Sequence, residues 1–245
     1  MMQRTTIRPG GRLDTIASMV RPGCVAADVG TDHAYLAILL TGSGRARKVI
    51  ASDVRRGPVR KAETNVRLAH LEERILVRLA DGLSGIEADR PDDIIIAGMG
   101  GETIASILAA SPYVKREGVR LLLQPMTKAS HLRQYLISEG FAIDEERLAE
   151  EDRRIYQIMA CRWCGAGEKY TPLELLCGRQ TARDDLTRRH YEKVGDYLTD
   201  RLNGKRSAGE NTEAEEELLC ELANCIDTLT HGSRPDCPAT GTTTD

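Results

Sequence analysis

Asp28, Gly30, Asp32 and His33 fall within one short stretch, "ADVGTDHAYL" (27–36), at the end of an apolar run. An acid, one glycine, then a second acid beside an imidazole can bind a cation, accept hydrogen bonds or take up a proton. Gly30 lets the backbone turn tightly where a side chain would block a ligand. A dinucleotide turn would carry further glycines, because pyrophosphate is held by close backbone approach, and here they are missing.

Four more stretches have the same character, each an apolar run ending in acid, glycine or amide. Asp53 ends "KVIASD", Asp81-Gly82 lies in "ADGL", Gly98-Met99 in "AGMGG" (97–101) and Gln124 in "LQPM" (123–126). Asp53 follows the first turn at a distance that suits hydrogen bonding to both hydroxyls of a ribose, and Asp81 is set to accept from an adenine amine. S-adenosylmethionine fits these groups better than a dinucleotide does. It has no phosphate to cradle, and its amino-acid end brings a cationic amine that tolerates Asp28, with Thr31 beside it. Taken singly, such turns are ordinary; five in order make one candidate rim.

The runs that carry them alternate with helical patterns from residue 24 to about 138. Strands are expected at 24–29, 48–54, 75–80, 92–98 and 119–124. Helices are expected from near Ala34, over 57–71, and near 101–110 and 128–138. This β-α alternation is the signature of a parallel sheet covered on both faces. "FAIDEERLAEE" and "RIYQIMACRW" follow with no helix between them, as a closing antiparallel pair. An α/β, Rossmann-like methyltransferase sheet, its parallel strands ending in a hairpin, fits better than the six parallel strands of a dehydrogenase. The composition shifts after 165, which divides the chain into a first domain over 1–165 and a helical region over 166–231. There, apolar spacing over 173–203 and 212–230, broken at "KRSAGEN", suggests an antiparallel coiled-coil hairpin. The tail at 232–245 reads as disordered.

Charge is uneven: residues 1–80 hold 14 Lys/Arg against 7 Asp/Glu, whereas 166–245 hold 10 against 16. The basic half, with Arg4, Arg8, Arg12, Arg45, Arg47, Lys48, Arg55, Arg56, Arg60 and Lys61, suits a polyanion whose binding weakens with salt. A solvated helix face is the ordinary alternative. The seven cysteines are odd in number and scattered, and Cys161 and Cys164 have no second pair, so neither disulfides nor a metal are expected. No apolar run approaches the ~18 residues a membrane span needs, and the polar start "MMQRTTIRPGGR" points to the cytoplasm.

The segments "DVGTDHAYL", "ASDVRRGPVRKAETN", "ADGL", "DIIIAGMGG", "LLLQPM", "LRQYLISEGF" and "IYQIMA" resemble, in order, the bacterial tRNA (adenine-N1) methyltransferases of the TrmK family. The likeness runs from about Arg12 to Ala160. It implies methyl transfer from S-adenosylmethionine to N1 of the adenosine at tRNA position 22. Separately, no metal and no membrane partner are expected, and a monomer is expected although the sequence does not fix the oligomeric state. The likeness also implies a base drawn out of its stem. On this basis Asp32 is the first candidate to stabilise the cationic ring or accept its amine proton, and His33 the second. Asp32 would alternatively, or additionally, cap the helix opening at 33–34. Gln124 would read the adenine edge, or else satisfy local backbone. Tyr35 is the nearest aromatic to stack on the base. The rival readings are a methyltransferase acting on another RNA or a small metabolite, and a non-catalytic RNA-binding protein. The small-metabolite reading shares the rim but does not need the basic excess. The RNA-binding reading leaves the rim unexplained.

Overall fold

The structure, a computed structural model, describes residues 11–231. Arg4, Arg8 and the tail at 232–245 therefore lie outside the described residues. Seven strands, β1 (Cys24–Val29), β2 (Ala46–Asp53), β3 (Ile75–Leu79), β4 (Asp93–Gly100), β5 (Arg120–Thr127), β6 (Phe141–Glu151) and β7 (Arg154–Trp163), form one sheet in the order β3-β2-β1-β4-β5-β7-β6. The first five are parallel, and β7 inserts antiparallel between β5 and β6. Helices α1 (Arg12–Met19), α2 (Tyr35–Gly42), α3 (Arg56–Leu68), α4 (Gly101–Ala109) and α5 (Ala129–Ser138) cover the sheet. The strand order reverses between β1 and β4, and beyond the carboxyl ends of these strands such sheets bind their ligands.

Burial on both faces explains the near-continuous apolar runs, and strand alternation decides which face each residue serves. Val25, Ala27 and Val29 pack with Ile104 of α4 and Leu132 of α5, while Ala26 packs with Ile16 of α1 and Leu40 of α2. Asp28 keeps the parity of Ala26, Asp53 that of Ala51, and Gln124 that of Leu122, so all three share the α1–α2 side. On that side the sheet presents the small Ala26 and Ala51, which lets helices approach closely.

Several elements depart from the sequence expectation. The helix α1 was not foreseen. Strands β4 and β5 run on to Gly100 and Thr127 through an irregular register at Ala97/Met99, where glycines and Pro125 had suggested strand ends. Helix α2 opens at Tyr35 with Ala34 as its cap in the left-handed region and no side-chain cap. Asp32 therefore does not cap it.

Past the change at 165 the chain remains with the sheet: the first compact unit ends at Thr181, and α6 (Pro172–Cys177), started by a capping box at Thr171 and Glu174, belongs to it. The anchor is a wholly buried ion pair between Arg133 and Glu146 at 2.6 Å. Arg133 also donates to Gln157 and to the carbonyl of Leu175, and Glu146 accepts from the backbone N–H of Arg179. With its remaining valences met in this way, the buried pair is tolerable. Gly178 closes the knot in the left-handed region, and a Cβ there would press on both Glu146 and Arg133. Gly178→Ala is therefore expected to cost at least about 1–3 kcal/mol of stability, seen as a lower thermal midpoint; an unchanged midpoint would show the linker to be loosely held.

The second compact unit begins at Ala182 and contains α7 (Asp185–Ala208) and α8 (Glu213–His231). Leu198, Leu202 and Leu222 are its buried apolar residues. The helix continues through "KRSA" to a left-handed Gly209 rather than breaking there. Lys205 and Arg206 point at Glu215 and Glu216 of α8 instead of forming a loop.

Candidate active site

The carboxyl ends of β1, β2 and β4 enclose a cavity of about 360 Å³. Its lining brings together Asp28, Gly30, Thr31, Asp32, His33, Asp53, Gly98 and Met99, all singled out from sequence. Arg12 and Arg55 join them, as do Leu13, Tyr35, Leu36 and Ala97. The two other expected cofactor residues, Asp81 and Gly82, line a separate cavity against Thr103, Ser106 and Ile107. Strand β3 stops at Leu79, and the N–H of Ala80, one residue before Asp81, donates to the carbonyl of Asp53 at 3.1 Å.

Asp28 is buried at the floor, its Oδ2 accepting from Thr31 Oγ1 at 2.5 Å. Burial pushes its carboxyl up to about 6, against the opposing pull of Thr31 and of the Arg12 guanidinium. The backbone turns sharply above it: Gly30 lies at φ 76°, and both Gly30 and Thr31 donate their N–H groups to the carbonyl of Ser52. Asp53 is also buried; its Oδ1 accepts from the Arg55 backbone at 2.9 Å.

At the mouth the chain is contorted. Asp32 and Ala34 both occupy the left-handed region, at φ 50° and 59°. Ala34 has no local polar side chain to favour this conformation, and strain of this kind collects at functional sites. The contortion turns the Asp32 carboxylate outward, half-exposed, with Oδ2 3.2 Å from His33 Nε2. The His33 ring stacks on Tyr35 at 5.3 Å, and its carbonyl is held by Asn65.

Gln124 does not reach the cavity with a free amide. It is wholly buried, its Oε1 accepting from Arg12 Nη1 at 2.8 Å and from the N–H of Gly98 at 3.2 Å, while its Nε2 donates to the Pro125 carbonyl. By sequence Arg12 is one of the basic residues suited to a polyanion, not a cavity residue. Its position here depends on partners 112 and 139 residues away, Gln124 and Glu151, which no local pattern announces. The one local signal was the amphipathic spacing of Leu13, Ile16 and Val20 directly before the first strand.

The basic residues separate by environment. Arg45 turns back onto the carbonyls of Ser18 and Val20, and Lys48 onto Asp89. Arg55, Arg56, Arg60 and Lys61 stay exposed along the end of β2 and α3. Of the cysteine pair, Cys161 is core, whereas Cys164 lies past the strand and donates to the carbonyls of Gly140 and Ala166.

The cavity thus offers three carboxylates and two guanidiniums, a formal balance of one negative charge. Nothing in its sharp, single-glycine turn is built for pyrophosphate.

A family model described as a methyltransferase domain matches residues 10–159. Over 167 residues the chain is 36% identical to the tRNA (adenine(22)-N(1))-methyltransferase of Bacillus subtilis (strain 168), covering 68% of this chain and 70% of that one. The crystal structure of the B. subtilis m1A22 tRNA methyltransferase TrmK matches with a TM-score of 0.72 at 31% identity, over 89% of this chain and 96% of that one. The Streptococcus pneumoniae protein Sp1610, solved with S-adenosyl-L-methionine, gives 0.74 at 34% identity, over 85% and 98%. By its sequence, its sheet and the residues gathered at the sheet's edge, the chain belongs to the tRNA (adenine(22)-N1)-methyltransferase family, TrmK.

Proposed function

We propose that this chain methylates N1 of the adenosine at position 22 of tRNA, using S-adenosylmethionine. The observation that carries the reading is the single cavity that joins the buried Asp28 and Asp53 to the Asp32–His33 pair at its mouth. The residues fit the cofactor. Its net positive charge meets a lining with one excess negative charge, and two buried acids stand apart, suited to an amine and to a ribose. Gly30, whose Cβ would collide with the Met99 side chain, keeps the turn narrow. Bound there, the cofactor supplies a methyl group activated by a sulfonium.

The chain's own part is alignment, exclusion of water and charge. Asp53 holds the ribose hydroxyls and Asp28 the amine. Asp32, at the mouth, faces the incoming base and stabilises the positive charge that the ring gains, or takes the proton from its exocyclic amine. His33, in contact with Asp32, orients that carboxylate. We assign Gln124 to holding Arg12 rather than to reading the base, since its amide is committed inside the protein. Among the described residues, the exposed Arg47, Arg55, Arg56, Arg60 and Lys61 are candidates for tRNA phosphates. We propose that the chain works as a monomer, and a tRNA substrate puts the work in the cytoplasm.

The test is transfer of labelled methyl from S-adenosylmethionine to unmodified bulk tRNA, followed by nucleoside analysis. Label in N1-methyladenosine, lost when position 22 is changed to guanosine, is the expected result. Binding of the cofactor with unlabelled tRNA would overturn the substrate and leave the fold reading intact.

A further inference from the structure

We propose that Asn65 is the residue that positions the Asp32 carboxylate for methyl transfer, by holding the carbonyl of His33 from helix α3. The proposal rests on Asp32 as the group that meets the ring of the target adenine. Asp32 and Ala34 both lie in the left-handed region, at φ 50° and 59°, with His33 between them. Such a conformation persists only where the surroundings impose it. Within the segment the N–H of Ala34 donates to the carbonyl of Thr31 at 3.0 Å, and the carbonyl of Ala34 accepts from Ile38 at 2.9 Å. These bonds fix the two ends. The peptide between the left-handed residues is met from outside: Asn65 Nδ2 donates to the carbonyl of His33 at 2.9 Å, across 32 positions of sequence. Among the described residues no backbone N–H reaches that carbonyl.

Asparagine is a poor helix former, and Asn65 stands inside α3 beside the buried Val66, where alanine or leucine would serve the helix better. What it adds is a donor without charge. A lysine or arginine reaching the same carbonyl would bring a cation to the Asp32–His33 pair and offset the carboxylate that the ring needs. The carbonyl belongs to the residue whose ring stands with Nε2 3.2 Å from Asp32 Oδ2 and stacks on Tyr35 at 5.3 Å. One bond thus governs the direction of the side chains at the cavity mouth. The contact between Asp32 and His33 is a weaker hold, because the Asp32 side chain is 55% exposed and pairs in such a setting contribute little. Aim must therefore come from the backbone, and a displacement of about 1 Å in a reacting group costs on the order of 100-fold in rate.

The experiment is methyl transfer to tRNA under single turnover, with calorimetric titration of S-adenosylhomocysteine, on Asn65→Leu, which keeps the size and removes the donor. The maximal rate is expected to fall about 10- to 100-fold. Affinity for S-adenosylhomocysteine and the tRNA concentration at half-maximal rate should stay within about twofold of wild type, as for an interaction that matters in the transition state. Asn65→Asp, isosteric but without a donor when ionised, should behave likewise, and it carries the test if the leucine variant does not fold. The decisive arm is the cycle with Asp32→Ala. In that background the change at Asn65 should lower the rate no further, because the carboxylate it aims is gone; an asparagine that merely ties α3 to the loop would lower it by the same factor in both. A wild-type rate in the folded variants, a loss explained by weaker cofactor binding, or an equal loss in the two backgrounds would overturn the assignment. Full activity in Asp32→Ala would instead bring down the reading of Asp32, and this proposal with it.

Discussion

Replacing Asp53 by Ala is expected to weaken binding of S-adenosylhomocysteine roughly 100-fold, with the thermal midpoint of the unliganded protein little changed. The physical case begins with position. Asp53 is the last residue of β2 and keeps the buried parity of Ala51, yet it lines the cavity. Its recorded partners, the backbone N–H and Nε of Arg55, both fall on Oδ1. Among the described residues Oδ2 has no donor, so one oxygen of a buried carboxylate is left for a ligand. Two ribose hydroxyls donating to a charged acceptor contribute about 1.5–3 kcal/mol each. Losing both would exceed 100-fold, and retained water softens the loss. Asp53→Asn, which keeps an acceptor but not the charge, should fall between. Calorimetry on the three proteins decides the matter: equal affinity in Asp53→Ala and wild type would remove this residue from the cofactor site.

The sheet was legible because burial on both faces writes itself into composition. "CVAADV", "FAIDEERLAEE" and "RIYQIMACRW" coincide with β1, β6 and β7 to the residue. Where glycine and proline entered, the reading stopped too early: β4 and β5 go on pairing through Gly100 and Thr127, because a bulged register accommodates Pro125 opposite Met99. Helix α6 was merged with α7 because the left-handed Gly178 and the buried Arg133–Glu146 pair, which separate them, depend on contacts across the fold. At the site, the residues of the first turn and Asp53 were visible as acids at strand ends. Asp81 looked equivalent; it lies two residues beyond its strand and lines a cavity with Thr103, Ser106 and Ile107. Arg12 was hidden for the opposite reason: grouped by sequence with the basic residues suited to a polyanion, it acquires its place through Gln124 and Glu151. Local patterns convey which strand ends are polar. They do not convey which ends share a cavity.

Asp32→Ala should lower methyl transfer by about 10²–10⁴-fold, the range for loss of a positioned acid–base or charge-stabilising group, while S-adenosylhomocysteine binds as before. The expectation rests on a contrast within five residues. Asp28 is buried and its carboxyl is raised to about 6, whereas Asp32 is half-exposed and touches only His33 among its recorded partners. A carboxylate in that position contributes little to packing, and it does not cap α2. Yet the backbone from Asp32 to Ala34 enters the left-handed region twice to present it, at a strain of about 1–3 kcal/mol per residue for a side chain with no local compensation. A chain that carries such strain at a cavity mouth does so for what the mouth must do. Asp32→Asn separates the two possible contributions. An amide can still accept a hydrogen bond from the adenine amine, but it neither takes its proton nor offsets the ring's positive charge. Turnover in Asp32→Asn close to that of Asp32→Ala would assign the effect to charge; turnover close to wild type would assign it to hydrogen bonding alone. Full activity in Asp32→Ala would mean that another group meets the ring, and attention would pass to His33, whose ring stands between Asp32 and Tyr35.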